Sequence, residues 1–273
     1  MLRNHWKLRE SPFRGTLDGR RFFRSPIHEE ALARLHFLVE ERRRLGLLLG
    51  SSGCGKSLVL DVFSRRLRRS GAQLANVNLL GIDLHEFLWL TAAELGINPD
   101  RRDDPFRLWR GILDRLAENR YQQLDTVLLL DNADEAANGM LDHLVRLSQT
   151  ENIAGGRLTM VLVATTTAPG NSAVRLSPRL LELAELRIDL EAWEPTDTVQ
   201  YIIETLAQAG SESPIFTDEA LQHLHDLTRG IPRCVDQLAN LALLAGAGRE
   251  LAQIDVDIVN SVYHELGAVD AVA

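Results

Sequence analysis

The sequence predicts an α/β protein in which an open, mostly parallel β-sheet with helices on both faces is followed by a small all-helical domain. Up to Trp193, short apolar runs alternate with stretches of helical periodicity. After Trp193 the strand signals stop and only helical patterns remain. We therefore expect an N-terminal segment and helix at 1–44, an α/β domain at 45–193 and a helical domain at 194–273.

Five short apolar runs predict the strands of the sheet. The run at 126–130 is Thr-Val-Leu-Leu-Leu and is followed directly by Asp131. An unbroken apolar run of this kind is typical of a parallel strand that is buried on both faces. The predicted strands lie at 45–49, 75–80, 126–130, 159–164 and 186–190.

Helical periodicity fills the segments between and after these strands. After Pro26, apolar residues recur on one face up to the first strand, which predicts a helix over 28–43. Further helices are expected after the first strand as far as Gly71, and then at 83–96, 106–116, 136–148, 196–209, 217–229, 232–245 and 255–266.

Polar residues at several of these helix starts predict caps. Asp83 with Glu86 three residues later forms a variant of the capping box. Thr217 precedes the second helix of the last domain, and either Thr196 or Asp197 is expected to cap the first.

A glycine-rich turn joins the first strand to the helix that follows it. The turn fits G-x-x-x-x-G-K-[ST], with Gly50, Gly55, Lys56 and Ser57 in the fixed positions. Glycine lets the backbone curl until successive N–H groups face a phosphate, and the helix adds its positive N-terminal end. This context predicts a P-loop that binds a nucleotide through Gly50, Ser51, Ser52, Gly53, Cys54, Gly55, Lys56, Ser57 and Leu58.

Lys56 is one of only two lysines in a chain rich in arginine, the other being Lys7. A compact ammonium group suits a phosphate at this position. We expect Lys56 to reach the β- and γ-phosphates of ATP, and the Ser57 hydroxyl to ligate Mg²⁺.

Overall composition limits the function classes. The 273 residues carry a formal net charge of −8, and 45% are hydrophobic, which is ordinary for a globular protein. A negative net charge argues against a nucleic-acid surface spread over the whole protein. Arginine clusters at 14–24 and 65–69 nevertheless keep DNA contact open as a hypothesis.

The cysteines and the apolar runs indicate the cellular compartment in which we expect the protein. Cys54 lies inside the phosphate loop and far in sequence from Cys234, so we expect free thiols in a reducing cytosol. The N-terminus has no apolar signal core, and no apolar run approaches the roughly 18 residues of a membrane span. The sequence therefore predicts a cytoplasmic protein without a membrane span.

The strand at 126–130 supplies the second half of the predicted site. We expect it to lie next to the strand of the P-loop, with Asp131 holding the water shell of Mg²⁺. A glutamate that polarises the attacking water usually follows, but here the residue is Asn132. An amide orients water and cannot accept its proton, which weakens the prediction of fast hydrolysis. Asp134 and Glu135 are the candidate substitutes.

Three stretches together resemble the AAA+ ATPases and, within them, the ExeA family (general secretion pathway protein A type). They are SPFRGTLDGRRFFRSPIHEEALARL at 11–35, GSSGCGKS with LLLDNADEA, and FTDEALQHLHDLTRGIPRCVDQLANLALL at 216–244. With YIIETLAQAG at 201–210, the resemblance covers roughly residues 10–266. It implies an AAA+ architecture in which the nucleotide lies between the α/β domain and a helical lid.

The resemblance also implies roles for single residues. Arg233, in Gly-Ile-Pro-Arg, matches the sensor-2 arginine that reaches the nucleotide from the lid. Thr166 matches the polar sensor-1 position, with Thr165 as the alternative. Ile27 and its two neighbours fall where the family packs the adenine.

Members of the wider family complete the site with an arginine from a neighbouring subunit, which implies an ATP-dependent homo-oligomer. Arg179, beside Pro178, is the preferred candidate, and Arg175 is the alternative. Secretion-type ExeA proteins continue into a transmembrane and a periplasmic part, whereas this sequence ends at Ala273, so the resemblance implies a module of the secretion-pathway type without the membrane part.

The leading hypothesis is an ATPase that couples binding and hydrolysis of Mg-ATP to oligomerisation or to remodelling of an unidentified protein partner. One alternative is an ATP-dependent DNA-binding regulator of the transposition or replication-initiation type. The other is a nucleotide switch that hydrolyses slowly, which Asn132 suggests.

Overall fold

The computed structural model describes residues 2–13, 19, 22–137, 139–150, 156–166 and 175–270. Two compact units are present, and each has its own hydrophobic core. The α/β unit comprises 26–52 and 56–190, and the helical unit comprises 1–25, 53–55 and 191–273. The first 25 residues thus group with the C-terminal helices, an association that the sequence patterns do not include.

The elements follow one another in the order that the sequence predicts, with two short helices added. They are α1 Leu2–His5, α2 Pro26–Glu40, β1 Leu45–Gly50, α3 Lys56–Ser70, β2 Gln73–Asn78, α4 Leu84–Glu94, α5 Pro105–Tyr121, β3 Thr126–Asp131, α6 Met140–Thr150, β4 Leu158–Thr165, α7 Pro178–Leu183, β5 Leu186–Leu190, α8 Pro195–Gln208, α9 Asp218–Thr228, α10 Pro232–Gly248 and α11 Val256–Asp270. A 3-10 turn at Ala133–Glu135 lies between β3 and α6.

The five strands of the α/β unit form one parallel sheet in the order β2-β3-β4-β1-β5. All six residues of β1 are buried, which is why the run reads as continuously apolar. The expectation that β3 lies next to β1 is wrong, because β4 separates them. The register pairs Gly50 with Thr165, and Asn78 with Asp131. Because all five strands are parallel, the carboxyl ends of the adjacent strands β2, β3, β4 and β1 lie along the same edge of the sheet.

Helix α2 packs closely on β1 because Gly46 has no side chain. A Cβ atom at Gly46 would lie 2.7 Å from a methyl group of Leu38, a buried residue of α2. This contact helps to fix the chain just before the strand that leads into the P-loop.

The helical unit is built from α8 to α11 together with the N-terminal residues. Trp6 is 8% exposed, and its indole Nε1 donates to the carbonyl oxygen of Leu243 at 3.0 Å. Gly230, between α9 and α10, has φ +67, and a Cβ atom there would lie only 2.1 Å from the carbonyl oxygen of Trp193. The turn before α10 therefore requires glycine.

The predicted caps are confirmed at two positions and wrong at one. Asp83 accepts a hydrogen bond from Glu86 N, and Thr217 accepts one from Ala220 N. Neither Thr196 nor Asp197 caps α8: Pro195 occupies the first helical position, so the cap is Glu194.

The largest differences from the predicted element boundaries occur at the end of α5, which continues to Tyr121 instead of 116, and between β3 and β5. Helix α6 begins at Met140 instead of 136, because the chain first forms the 3-10 turn and then extends at Ala136. The short helix α7 was not predicted. Among the described residues, no helix is both long and apolar enough to cross a bilayer.

Candidate nucleotide site

The carboxyl edge of the sheet in the α/β unit brings several predicted residues into one hydrogen-bonded group. Gly50 ends β1, and its carbonyl oxygen accepts from Thr166 N at 3.1 Å and from Lys56 Nζ at 2.9 Å. Thr166 directly follows β4, the strand beside β1, and is half-buried. The strand predicted to carry the sensor position thus reaches the base of the P-loop.

Lys56 is a buried cation whose hydrogen-bond partners are neutral. It is 9% exposed, and Nζ donates to the carbonyl oxygens of Gly50 and Ser51, both at 2.9 Å. Within the part of the chain that the structure describes, no carboxylate forms an ion pair with it. Lys56 is also the first residue of the 15-residue helix α3, so its charge adds to the positive end of a helix. A buried and uncompensated positive charge of this kind favours an anion.

The P-loop backbone has the conformations that its glycines permit. Gly53 has φ +85 and Gly55 has φ +99, values that residues with a side chain rarely adopt. Cys54 between them is fully buried and is a free thiol, as predicted. Cys234 is also free. Ser52 is exposed at the turn, and Leu58 is half-buried in the first turn of α3.

Ser57 and Asp131 meet although 74 residues separate them. Ser57 Oγ donates to Asp131 Oδ2 at 2.8 Å, and Asp131 Oδ1 accepts from Asn132 N at 2.9 Å. A hydroxyl and a carboxylate are the hard oxygen ligands that Mg²⁺ prefers. The two predicted metal residues are therefore close enough to share a metal ion or its water shell.

Asn132 has an unusual backbone conformation and an amide partner that no sequence motif indicates. Its φ of 54 and ψ of 44 are left-handed, and its Nδ2 donates to Asn78 Oδ1 at 2.9 Å. Asn78 ends β2, one strand beyond β3 in the sheet. The prediction of that strand as 75–80 placed Asn78 in its middle, so its position at the sheet edge was not visible.

The two acidic residues after Asn132 differ in environment. Asp134 lies in the 3-10 turn, and its Oδ1 is buried and has no hydrogen-bond partner among the described residues. Glu135 is exposed. Of the two substitutes that the sequence suggests for a base, Asp134 is the one with a buried carboxylate oxygen.

Most of the remaining predicted residues lie at the starts of helices. Ile27 is the second residue of α2 and is half-buried. Arg175 and Arg179 are exposed, Arg179 as the second residue of α7. In the helical unit, Arg233 is the second residue of α10, and its N donates at 3.2 Å to the carbonyl oxygen of Gly53, a residue of the same unit.

Comparison with known proteins shows similarity at the level of the domain and of the fold. A family model described as "AAA domain" matches residues 39–170, a range that includes the P-loop, Asp131 and Thr166. Over these residues the chain matches an AAA domain, and as a whole it is similar to AAA+ ATPases of the ExeA type. General secretion pathway protein A of Aeromonas hydrophila is 30% identical over 254 residues, which are 91% of this chain and 45% of that protein. The AAA+ chain therefore spans less than half the length of this relative.

Solved structures show that the fold of this AAA+ protein is widespread. Cdc6p from Pyrobaculum aerophilum has a TM-score of 0.67 at 21% identity, covering 85% of this chain and 65% of that one. The Drosophila ORC bound to DNA has a TM-score of 0.73 at 16% identity, covering 97% and 65%. A RuvB variant of Thermotoga maritima has a TM-score of 0.55 at 16% identity, covering 94% and 74%. At these identities the likeness concerns the fold.

Proposed function

We propose that this AAA+ protein binds ATP with Mg²⁺, hydrolyses it slowly, and couples its nucleotide state to assembly with further copies of itself or to remodelling of a partner protein. The observation that carries the proposal is the buried Lys56 ammonium with its two carbonyl partners, beside the Ser57–Asp131 pair. These groups supply an anion site and a metal site next to each other at the start of one helix.

Each group has a chemical role in this proposal. The P-loop N–H groups and Lys56 bind the β- and γ-phosphates, while Ser57 and Asp131 hold Mg²⁺. The bound metal neutralises charge that develops on the phosphates. In hydrolysis the water oxygen forms a bond to the γ-phosphorus, the bond to the bridging oxygen of ADP breaks, and a proton is released to solvent.

The rate depends on how the attacking water is held. Asn132 and Thr166 offer polar groups that orient a water molecule, and Asp134 offers a carboxylate. Because an amide cannot accept the proton, the proposal includes slow turnover.

Arginines extend the proposed site. Arg233 of the helical unit contacts the nucleotide, and Ile27 packs against the base, as the resemblance implies. Arg179, or else Arg175, enters the site of a neighbouring subunit; both are exposed, as such a role requires. We propose a cytoplasmic location for this activity, which the dependence on ATP supports.

An ATPase assay with a matched pair of lysine variants tests the proposal. Lys56→Ala should abolish phosphate release and weaken binding of a fluorescent ATP analogue, because the buried cation is lost. Lys7→Ala, at the other lysine, removes an exposed charge and should leave both unchanged. Equal phosphate release by the wild type and Lys56→Ala would overturn hydrolysis, and equal analogue binding would overturn the nucleotide site itself.

Assembly is tested separately by light scattering after size exclusion, in ADP and in a non-hydrolysable ATP analogue. We expect a larger species with the ATP analogue, and ATP hydrolysis in that species should fall in Arg179→Ala. Arg175→Ala is the comparison that assigns the role to one arginine. A strict monomer in both nucleotides would remove the intersubunit arginine from the proposal.

The DNA-binding alternative has weaker support. Of the arginines at 65–69, Arg65 is paired with Asp61, and Arg66 lies 3.6 Å from Glu29, so part of that charge is neutralised within the chain. Arg14, Arg20 and Arg21 of the other cluster lie outside the described residues. Retention on DNA that weakens with salt would favour this alternative, and no retention at low salt would exclude it.

A further inference from the structure

The helical unit carries an open groove, with a volume of about 270 Å³, between the end of α8 and the segment that leads into α9. Its lining is mostly apolar. Leu206, Ile215 and Phe216 line it and are buried, while Ile203 lines it and is 53% exposed. A cavity of about 150 Å³ is enough to hold benzene, so this groove accommodates an aromatic side chain.

The backbone of the groove is held in place by hydrogen bonds within the helical unit. Ile254 N donates to the carbonyl oxygen of Ile215 at 2.8 Å, and Thr217 N donates to that of Ile254 at 3.0 Å. The Thr217 side chain also caps α9. A groove that is already ordered loses little conformational entropy when it is occupied.

The charges at the groove indicate what it can bind. Within the described part of the chain, the charged residues that line it are Glu212 and Asp218, both acidic and exposed. After residue 190 the sequence contains no lysine and only three arginines, Arg229, Arg233 and Arg249, so this part of the chain is strongly acidic. Charge complementarity therefore favours an apolar side chain with basic neighbours.

The α/β unit presents a side chain of this kind. Phe106 is the second residue of α5 and is 80% exposed. Next to it on α5, the Arg107 and Arg110 side chains are 79% and 71% exposed. They pair with Asp103 and Asp114, but ion pairs with so exposed a partner contribute little to stability and exchange readily.

We propose that Phe106 of one copy of the chain inserts into this groove on a second copy. Arg107 and Arg110 then face the acidic residues of the groove. The inference rests on the proposed assembly and names the two surfaces that form it. Because the contact joins two different surfaces, it repeats from copy to copy and builds a ring or a filament.

Light scattering after size exclusion, in the non-hydrolysable ATP analogue, tests the contact. Phe106→Asp and Ile203→Asp each bury an unpaired charge in it, so both should reduce the assembled species to single chains of 30.5 kDa. Phe37→Asp and Leu244→Asp are the matched controls. These residues are 49% and 48% exposed, one in each unit, and the variants should assemble like the wild type.

A mixture of the two disrupted variants tests the pairing of the surfaces. The Ile203→Asp chain keeps Phe106, and the Phe106→Asp chain keeps an intact groove. We expect the mixture to form a species of two chains, although neither variant associates alone. If no such species forms, Phe106 does not insert into the groove.

The charges and the folding of the variants are checked separately. Glu212→Lys should lower the assembled fraction, and an equal or larger fraction would contradict the proposed charge complementarity. Both Asp variants should bind the fluorescent ATP analogue like the wild type, because both residues are exposed. If either loses this binding, Phe106→Ser and Ile203→Ser take their place and should show a smaller loss of assembly.

Failure of this inference is distinguishable from failure of the proposed function. If the wild type assembles in the ATP analogue and both Asp variants assemble equally well, the groove is not the assembly surface and the proposed assembly stands. If the wild type stays a single chain, the assembly and this inference are both overturned. The comparison with Lys56→Ala then still decides whether the protein hydrolyses ATP.

Discussion

At the scale of single residues, two side chains decide what the candidate site can do: the charged Lys56 and the uncharged amide of Asn132. Lys56 supplies a buried positive charge that two carbonyl groups orient without neutralising. Asn132 stands where a base is usual, yet it offers only an amide held by Asn78. In the proposed function, the first feature favours binding of a nucleotide, and the second slows its hydrolysis.

Asn132→Glu should raise the ATPase rate. A carboxylate at this position can accept a proton from the attacking water, and general base catalysis contributes about 10²–10⁴ in rate. Part of this gain is lost because glutamate tolerates the left-handed backbone of residue 132 less well. We expect at least about a tenfold increase in kcat, measured as phosphate release under saturating Mg-ATP.

Asn132→Gln is the matched control, since glutamine has the same length as glutamate and cannot accept the proton. Equal rates for the two variants would contradict the assignment of slow turnover to the missing base. A rise with Glu alone would support it.

The P-loop residues could be predicted from the sequence because their chemistry is contiguous. Gly50 to Ser57 are eight consecutive residues, so the loop and its backbone N–H groups come from one continuous segment. The contact between Asn78 and Asn132 could not be predicted, because it joins residues 54 positions apart and depends on the register of two strands. From the sequence, Asp134 and Glu135 are equal candidates for the base. The structure distinguishes them, because Oδ1 of Asp134 is buried.

At the scale of the elements, the strands were predictable within about two residues, since each is a buried apolar run between breakers. Their lateral order was not, because local patterns carry no information about which strands pair; β4 lies between β1 and β3. Contacts between elements likewise emerge only in the structure. Glu185 before β5 accepts from the backbone N and the guanidinium of Arg44, and lies 3.5 Å from Arg43, just before β1.

Glu185→Gln should destabilise the protein in a pH-dependent way. Burial tends to raise the pKa of Glu185, but the hydrogen bonds and charges of Arg44 and Arg43 outweigh it and hold the pKa below its ordinary value. A lowered pKa in the folded state means that the ionised carboxylate stabilises the fold above the unfolded pKa of about 4.3. This stabilisation is lost as the pH falls through the lower, folded-state pKa.

We expect a cost of about 0.5–1 kcal/mol in the free energy of unfolding at pH 7 and a smaller one at pH 4, measured with urea. Glu182→Gln, three residues earlier on α7, changes an exposed carboxylate and should cost little at either pH. A cost for Glu185→Gln that is the same at pH 7 and pH 4 would show that the carboxylate charge is not responsible.

At the scale of the whole molecule, the chain does not divide where its sequence patterns change. Those patterns place the N-terminal residues ahead of the α/β core, whereas the structure groups residues 1–25 with 191–273. The association depends on contacts such as that between Trp6 and Leu243, 237 residues apart. Arg9 N likewise donates to the carbonyl oxygen of Ala209 at 2.8 Å. No local pattern encodes pairings of this range.

Trp6→Ala should therefore destabilise the helical unit rather than the α/β unit. The indole is 8% exposed, and its Cζ2 lies where a side chain at Gly246 of α10 would be, so its removal leaves a large cavity against that helix. We expect a loss of about 3–5 kcal/mol, seen as faster amide hydrogen exchange across α10, while exchange in β1 and β3 stays unchanged.

Trp6→Phe should cost less, because most of the packing stays and only the hydrogen bond to Leu243 is lost. Lys7→Ala, at the exposed neighbouring residue, should leave exchange in α10 as in the wild type. If Trp6→Ala leaves α10 protected, or exposes β1 and α10 equally, the N-terminal residues are not a specific part of the helical core.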